Sequence, residues 1–299
     1  MKRLFPYLFF VGLIIPASAQ HVEYIGVFGG FNLPFSIDAG IQKDPRYFSK
    51  LTFRHTPIGF QYSYDFVGYG FLTTPCFVST GQQYIIKNTI GGEVGTRELR
   101  MNYLHVPAAL KLHVMDLSFF RLSMVASVNL DYLLRGQETI SHFNSKLRYP
   151  AGVTVPTGPG YEVTYDGVFV PEVANEVYVT KDKFKSLTFS ASVGFRADFD
   201  FNENWSLNFD ARGTFGIADP RSSDYINTLK NPTGGPDING NPGAPDLYGQ
   251  RRDITASFYL GISRIVKFKK EFVPKHSPKM PKSDAPKPRN YSKKPGKGG

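Results

Sequence analysis

A single cysteine, Cys76, stands among the 299 residues, so no internal disulfide can form and no thiolate cluster can hold a metal. Long apolar runs are missing too. The run from Leu4 to Ile15 falls short of the ~20 apolar residues that a membrane-spanning helix needs, and no later segment comes nearer. Lys2 and Arg3 precede it, and Pro16 with the small residues Ala17, Ser18 and Ala19 follow, which is the plan of a secretory signal peptide. The mature chain is expected to begin at Gln20. No cysteine sits at the cleavage site, which argues against a lipoprotein anchor. If the mature chain lives in a membrane, it crosses as strands.

Patterns that carry chemistry are also scarce. His105 and His113 share one strand face but lie too far apart, at ~3.3 Å per residue, to grip one metal ion. Ser141 and His142 are neighbours, as in a Ser/His lipid hydrolase, but sequence neighbours do not make a triad. Asp237, Asn239 and Asn241 have the alternate spacing of a calcium loop. The glycine is displaced to Gly240, however, and Tyr248 stands where the bidentate Glu belongs. No catalytic residue, metal or cofactor is expected.

The net charge of +10 suggests nucleic acid until it is located. From Lys267 onward 11 Lys or Arg face 2 acidic residues, and Lys2 and Arg3 leave with the signal, so residues 20–266 carry −1. The basic character belongs to the tail, and no nucleic-acid partner is expected.

What the chain does have is alternation. From Leu187 to Phe201 the odd positions are apolar and the even ones polar or small. The same parity resumes after Asn202, Glu203 and Asn204 and runs from Trp205 to Ile217, which reads as one hairpin of two long strands. Strands in soluble sheets average about five or six residues. A longer run, with an aromatic-rich face opposite one bearing Arg and Asp, fits a barrel strand with lipid outside and a polar interior. Pairing across the turn sets Arg196 opposite Asp210, which predicts a cross-strand ion pair inside the barrel.

Further strands follow the same rule: Tyr24 to Leu33, Ile58 to Phe66, Tyr69 to about Ile86 with an irregularity at Pro75, Leu99 to Val114, Leu117 to Leu134 and Ile254 to Phe268. Together they predict an all-β fold, an eight-stranded antiparallel transmembrane β-barrel. Their connections alternate between short and long, as the periplasmic turns and extracellular loops of outer-membrane barrels do, and an even count places both termini in the periplasm. The expected division is a signal peptide over 1–19, the barrel over 20–268 and a disordered Lys/Pro-rich periplasmic tail over 269–299. The loop from Gly136 to Lys183 is expected to be a folded excursion, with a tight hairpin turn at Asp166-Gly167.

Eight strands enclose a space that side chains can fill. The expected interior polar network is Asp65, Lys111, Arg121, Asp131, Arg196, Asp198, Asp200, Asp210 and Arg212. With both signs present, these read as a plug rather than an open bore. Outer-membrane lipids are the expected surroundings. The tail, rich in Lys, is suited to peptidoglycan or another anionic surface.

The segments GVFGGFNL, LRMNYLHVPAALKLHV, SASVGFRADFDF with WSLNFDARGTFGI, and SFYLGISRIVKF resemble the PorT-like outer-membrane β-barrel family of Bacteroidota. Tyr103 to Lys111, YLHVPAALK, is similar to that family's YLEIPLLLK strand, with His105 in place of the acidic residue and Ala108 and Ala109 in place of larger aliphatics. The resemblance implies a barrel in the outer membrane and a link to type IX protein secretion. The expected function is therefore a non-enzymatic component of a secretion or envelope complex acting through loops or tail. The alternatives are a small-solute or ion channel and, after it, a lipid-modifying enzyme.

Overall fold

The computed structural model describes residues 21–150, 153, 155, 157–230 and 249–266. The expected signal peptide, the calcium-like spacing at 237–241 and the basic tail lie outside the described residues. In chain order the strands are β1 (Val22–Asp38), β2 (Tyr47–Lys50), β3 (Ile58–Asp65), β4 (Tyr69–Thr73), β5 (Cys76–Thr80), β6 (Gln83–Lys87), β7 (Glu93–Asp116) and β8 (Phe120–His142). They continue as β9 (Ser145–Leu147), β10 (Glu162–Thr164), β11 (Gly167–Val170), β12 (Val173–Val179), β13 (Leu187–Asp200), β14 (Trp205–Gly216) and β15 (Arg251–Val266), with an α-helix, α1 (Ser223–Lys230), between the last two. No helix among the described residues is long and apolar enough to cross a membrane.

Eight antiparallel strand lines close into a ring. β1 pairs with β3, β3 with β4 and β5, these with β7, and then β8, β13, β14 and β15 follow until β15 returns to β1. β4 and β5 are one line interrupted at Thr74 and Pro75. Pro75 has no N–H to give a ladder, and on the neighbouring strand Pro107 has none either. Arg196 pairs with Asp210 in register across the β13–β14 hairpin.

The alternation is inside-out relative to a soluble protein. Val128, Phe195, Phe209 and Leu260 look outward and are exposed, whereas Ser127, Asn129, Arg196, Asn208 and Asp210 look into the lumen and are buried. At one end the ring is closed by tight turns. Gly68 takes φ +87° between β3 and β4, a conformation open to glycine, and Asn202 accepts two backbone N–H bonds at 2.9 Å between β13 and β14.

Several strands outrun their expected limits at the other end. β1 was expected to stop at Leu33 but passes through Pro34 to Asp38. Asn32 exchanges both backbone bonds with Arg54, so two residues on the Pro34 nitrogen faces the same side, where β3 has already ended. The missing N–H costs no ladder bond there. β7 and β8 continue to Glu93 and His142, and the turn between them falls at Leu117–Phe119, later than the expected Met115-Asp116. Beyond the apolar outer band they carry β6, β2 and β12 as an upright extension of the barrel wall. Against it packs a separate sheet of β9, β10 and β11, where Leu147, Val168 and Val170 bury themselves with Ile86. Its hairpin turns at Tyr165-Asp166, one residue earlier than expected, because Thr164 pairs with Gly167.

Candidate functional site in the lumen and at the rim

Near the tight-turn end the lumen is crossed by one file of alternating charges. Asp116 contacts Arg121 (3.2 Å), Arg121 contacts Asp65 (3.0 Å), Asp65 contacts Lys111 (2.7 Å), and Lys111 contacts Asp198 (3.5 Å). The file continues from Asp198 to Arg196 (2.8 Å), Asp210 (3.5 Å) and Arg212. Five strand lines of the ring, β3, β7, β8, β13 and β14, supply these groups, so the file ties the wall together from inside. Lys111 is 0% exposed and Asp210 1%. Charges so deeply buried persist when each is paired and further hydrogen bonded. Asn208 accordingly donates to Asp198 at 2.7 Å, and Gln61 donates to Ser263 at 2.8 Å beside it.

Above the file, Asp131 accepts from Ser190 at 2.5 Å and contacts the His105 ring. The carboxylate stands between hydroxyl and imidazole, so the imidazole does not face the serine as a base must in an acyl-transfer triad. A cavity of about 60 Å³ opens beside this pair, bounded by Tyr103, Thr255 and Tyr259, with room for a few waters. Over it lies an apolar layer of Val78, Leu99, Met101, Leu133 and Phe184.

The far rim is closed by a second charged cluster. Glu138 receives Arg97 at 2.8 Å, Arg251 at 3.1 Å and the Tyr178 hydroxyl at 2.5 Å. Burial pushes its carboxyl up, but Arg97, Arg251 and the hydrogen bonds outweigh that and hold the pKa down at about 2. The backbone N–H of Arg251 donates to Asp219, whose other partner Arg221 reaches Asp38 on β1 at 3.3 Å. Cations also stack between tyrosines here: Arg46 lies 3.9 Å from the Tyr149 ring centre and 5.2 Å from Tyr47, and Arg97 lies 4.9 Å from Tyr47 and 5.2 Å from Tyr178. This ladder fastens the long connections to β7 and β12. Beside it a cavity of about 200 Å³ is lined by Asp38, Arg46, Arg97, Glu138, Arg221 and Tyr225.

A closed eight-stranded ring with an apolar exterior and a charged, packed interior is the geometry of a membrane barrel. The family model described as outer membrane protein beta-barrel domain matches residues 19–220. The chain belongs to that family. As an outer-membrane β-barrel it is placed in the outer membrane. Among solved structures it is similar to OprG from Pseudomonas aeruginosa (9% identity, 83% of this chain and 97% of that one, TM-score 0.37). It is also similar to Ail, the attachment invasion locus protein of Yersinia pestis (10%, 84% and 100%, TM-score 0.31), and to the outer membrane protease OmpT from Escherichia coli (8%, 84% and 97%, TM-score 0.34). No curated protein matches the chain.

Within this outer-membrane barrel the nine sequence-predicted lumen residues fall into three places. Asp65, Lys111, Arg121, Arg196, Asp198, Asp210 and Arg212 join the file. Asp131 belongs to the His105–Ser190 group, and Asp200 sits half-buried near the Tyr24 hydroxyl at 3.5 Å. Ser141 and His142 are successive strand residues, so their side chains leave opposite faces, and the ring nitrogen of His142 faces the Phe143 carbonyl at 3.1 Å. His105 and His113 are held separately, by Asp131 and Ser123.

Sequence reasoning missed the rim cluster. Strict alternation along β8 puts Arg135 and Gln137 inside and Glu138 outside. A bulge opposite Asn102 and Tyr103 adds one residue, so Glu138 turns in and Arg135 turns out. The one available signal was the inward parity of Arg251 and Asp253, had the last strand been extended backward from Ile254.

Proposed function

We propose that this chain is a sealed, non-enzymatic outer-membrane barrel that serves as a structural or accessory component of an envelope complex, with its folded cap as the working surface. The observation that carries the reading is the file from Asp116 to Arg212. Its central members, Lys111, Arg196, Asp198 and Asp210, are at most 3% exposed, whereas a water-filled conduit leaves the side chains of its lumen wet. The serine–imidazole contact beside the file, Ser123 with the His113 ring at 2.9 Å, leaves the serine 0% exposed, out of reach of a substrate.

The tight turns and the residues at both ends of the ring, Val22 and Val266, lie at one end of the barrel, and the long connections lie at the other. By the rule that short turns face the periplasm, we place both termini in the periplasm and the cap outside the cell. The basic residues after Lys267 then enter the periplasm, where peptidoglycan is an anionic partner. The likeness of Tyr103 to Lys111 to the PorT-like strand supports type IX secretion as the complex concerned.

Crosslinking and pull-down from native outer membranes tests this. Defined envelope proteins should co-purify with the full chain and be lost when residues 143–172 are replaced by a short linker. If the full chain brings down no partner that depends on this segment, the proposal fails.

A further inference from the structure

The bulge that turns Glu138 inward has a second effect on the outside of the wall. Below it, Tyr132 and Leu134 on β8 and Leu104 on β7 face outward and are 44–47% exposed, in the apolar band that meets the acyl chains. Directly above, two arginines take the outward positions. Arg135 pairs in register with Asn102, and Arg100 pairs with Gln137, so the two guanidinium groups stand diagonally on adjacent strands of one face.

Their charges are only partly matched. Glu98 lies next to Arg100 on the same face, 3.0 Å away, but it also accepts Arg54 at 2.7 Å. The Arg54–Glu98 pair has side chains 12% and 26% exposed, while Arg100 is 44% exposed. One acid therefore answers two cations. Arg135 is exposed, and among the described residues its fork closes onto the neutral Oε1 of Gln137, at 2.9 and 3.1 Å, rather than onto a carboxylate. The patch carries excess positive charge at the upper margin of the apolar band.

We propose that Arg100 and Arg135 clamp the phosphate of a lipid headgroup in the outer leaflet. Planar guanidinium forks fit phosphate oxygens two at a time, and a pair on one face can grip a single phosphate from both sides. The position argues for a lipid rather than a free anion. Tyr132, Leu134 and Leu104 lie beneath the arginines where the acyl chains of the same molecule descend, so its tether holds the phosphate at the height of the clamp. Basic side chains at a membrane margin attract anionic headgroups by the same charge complementarity. The choice of leaflet rests on the orientation proposed above.

The test uses the full chain in vesicles of zwitterionic phospholipid doped on both leaflets with a phosphorylated glycolipid or with its dephosphorylated form. Lipid retained by the protein is read by native mass spectrometry. Wild type should retain the phosphorylated form in excess, and Arg100→Gln with Arg135→Gln should lower retention to the level of the dephosphorylated form. Folding of the variant is checked by its heat-dependent migration on a gel. Equal retention by wild type and the folded double variant overturns the clamp. Displacement of the glycolipid by inorganic phosphate at equal concentration overturns the lipid as its occupant. Because both leaflets carry the lipid, the outcome does not depend on orientation. Orientation is read separately, by protease cleavage at Tyr165-Asp166 on intact cells.

Discussion

Replacing Lys111 by Met removes the central cation of the lumen file while keeping most of its apolar stem. Its ammonium is fully buried, 2.7 Å from Asp65 and 3.5 Å from Asp198. Breaking a buried ion pair by removing one partner costs about 3–5 kcal/mol, chiefly because the remaining charge is stranded. Here neither acid is stranded outright. Asp65 keeps Arg121 at 3.0 Å and Asp198 keeps Arg196 at 2.8 Å, so the lower end, ~3 kcal/mol, applies. Urea unfolding in lipid vesicles can be followed by Trp205, the sole tryptophan, which faces outward beside the β13–β14 turn. The midpoint should fall with little change in slope. Adding Asp65→Asn should recover part of the loss, since the excess negative charge goes with it. A loss below ~1 kcal/mol, or a double variant no better than the single one, would refute the claim that Lys111 neutralises these two acids.

The rim should respond to acid. Glu138 has a depressed carboxyl pKa, 4.5 falling to about 2, so its stabilisation is complete above 4.5 and is lost as pH falls through about 2. The drop corresponds to on the order of 3 kcal/mol. Hydrogen exchange in β12 should rise as pH approaches 2, and Glu138→Gln should show that rise already at neutral pH; protection unchanged in the variant would count against the cluster. On the outer face, Val193→Arg, near the middle of the lipid band, should cost about 2–4 kcal/mol, and Leu187→Arg, near its upper margin, about 0–1. Equal penalties in the same urea assay would show that depth in the band has been misassigned.

The ring itself was legible because a barrel wall repeats one simple pattern. β13 and β14 keep strict alternation from end to end, and the pairing of Arg196 with Asp210 follows from their turn alone. Alternation fails wherever one residue is added. The β8 bulge reverses the faces of Arg135 and Glu138, and with them a rim cluster and an outer patch that no period-two reading can place. The end of β1, expected at Leu33 and found at Asp38, was hidden for a different reason. Whether a proline ends a strand depends on which neighbour its nitrogen faces, and that is a property of the sheet rather than of the segment. The ladder of Tyr149, Arg46, Tyr47, Arg97 and Tyr178 joins side chains far apart in the chain, so it becomes visible only once the strands are in place.

Paired charges seal the lumen, and planar-bilayer recording of the purified full chain puts that seal to the test. The folded protein should show no steady single-channel conductance across a range of voltages. A stable, reproducible conductance from wild-type protein would contradict it.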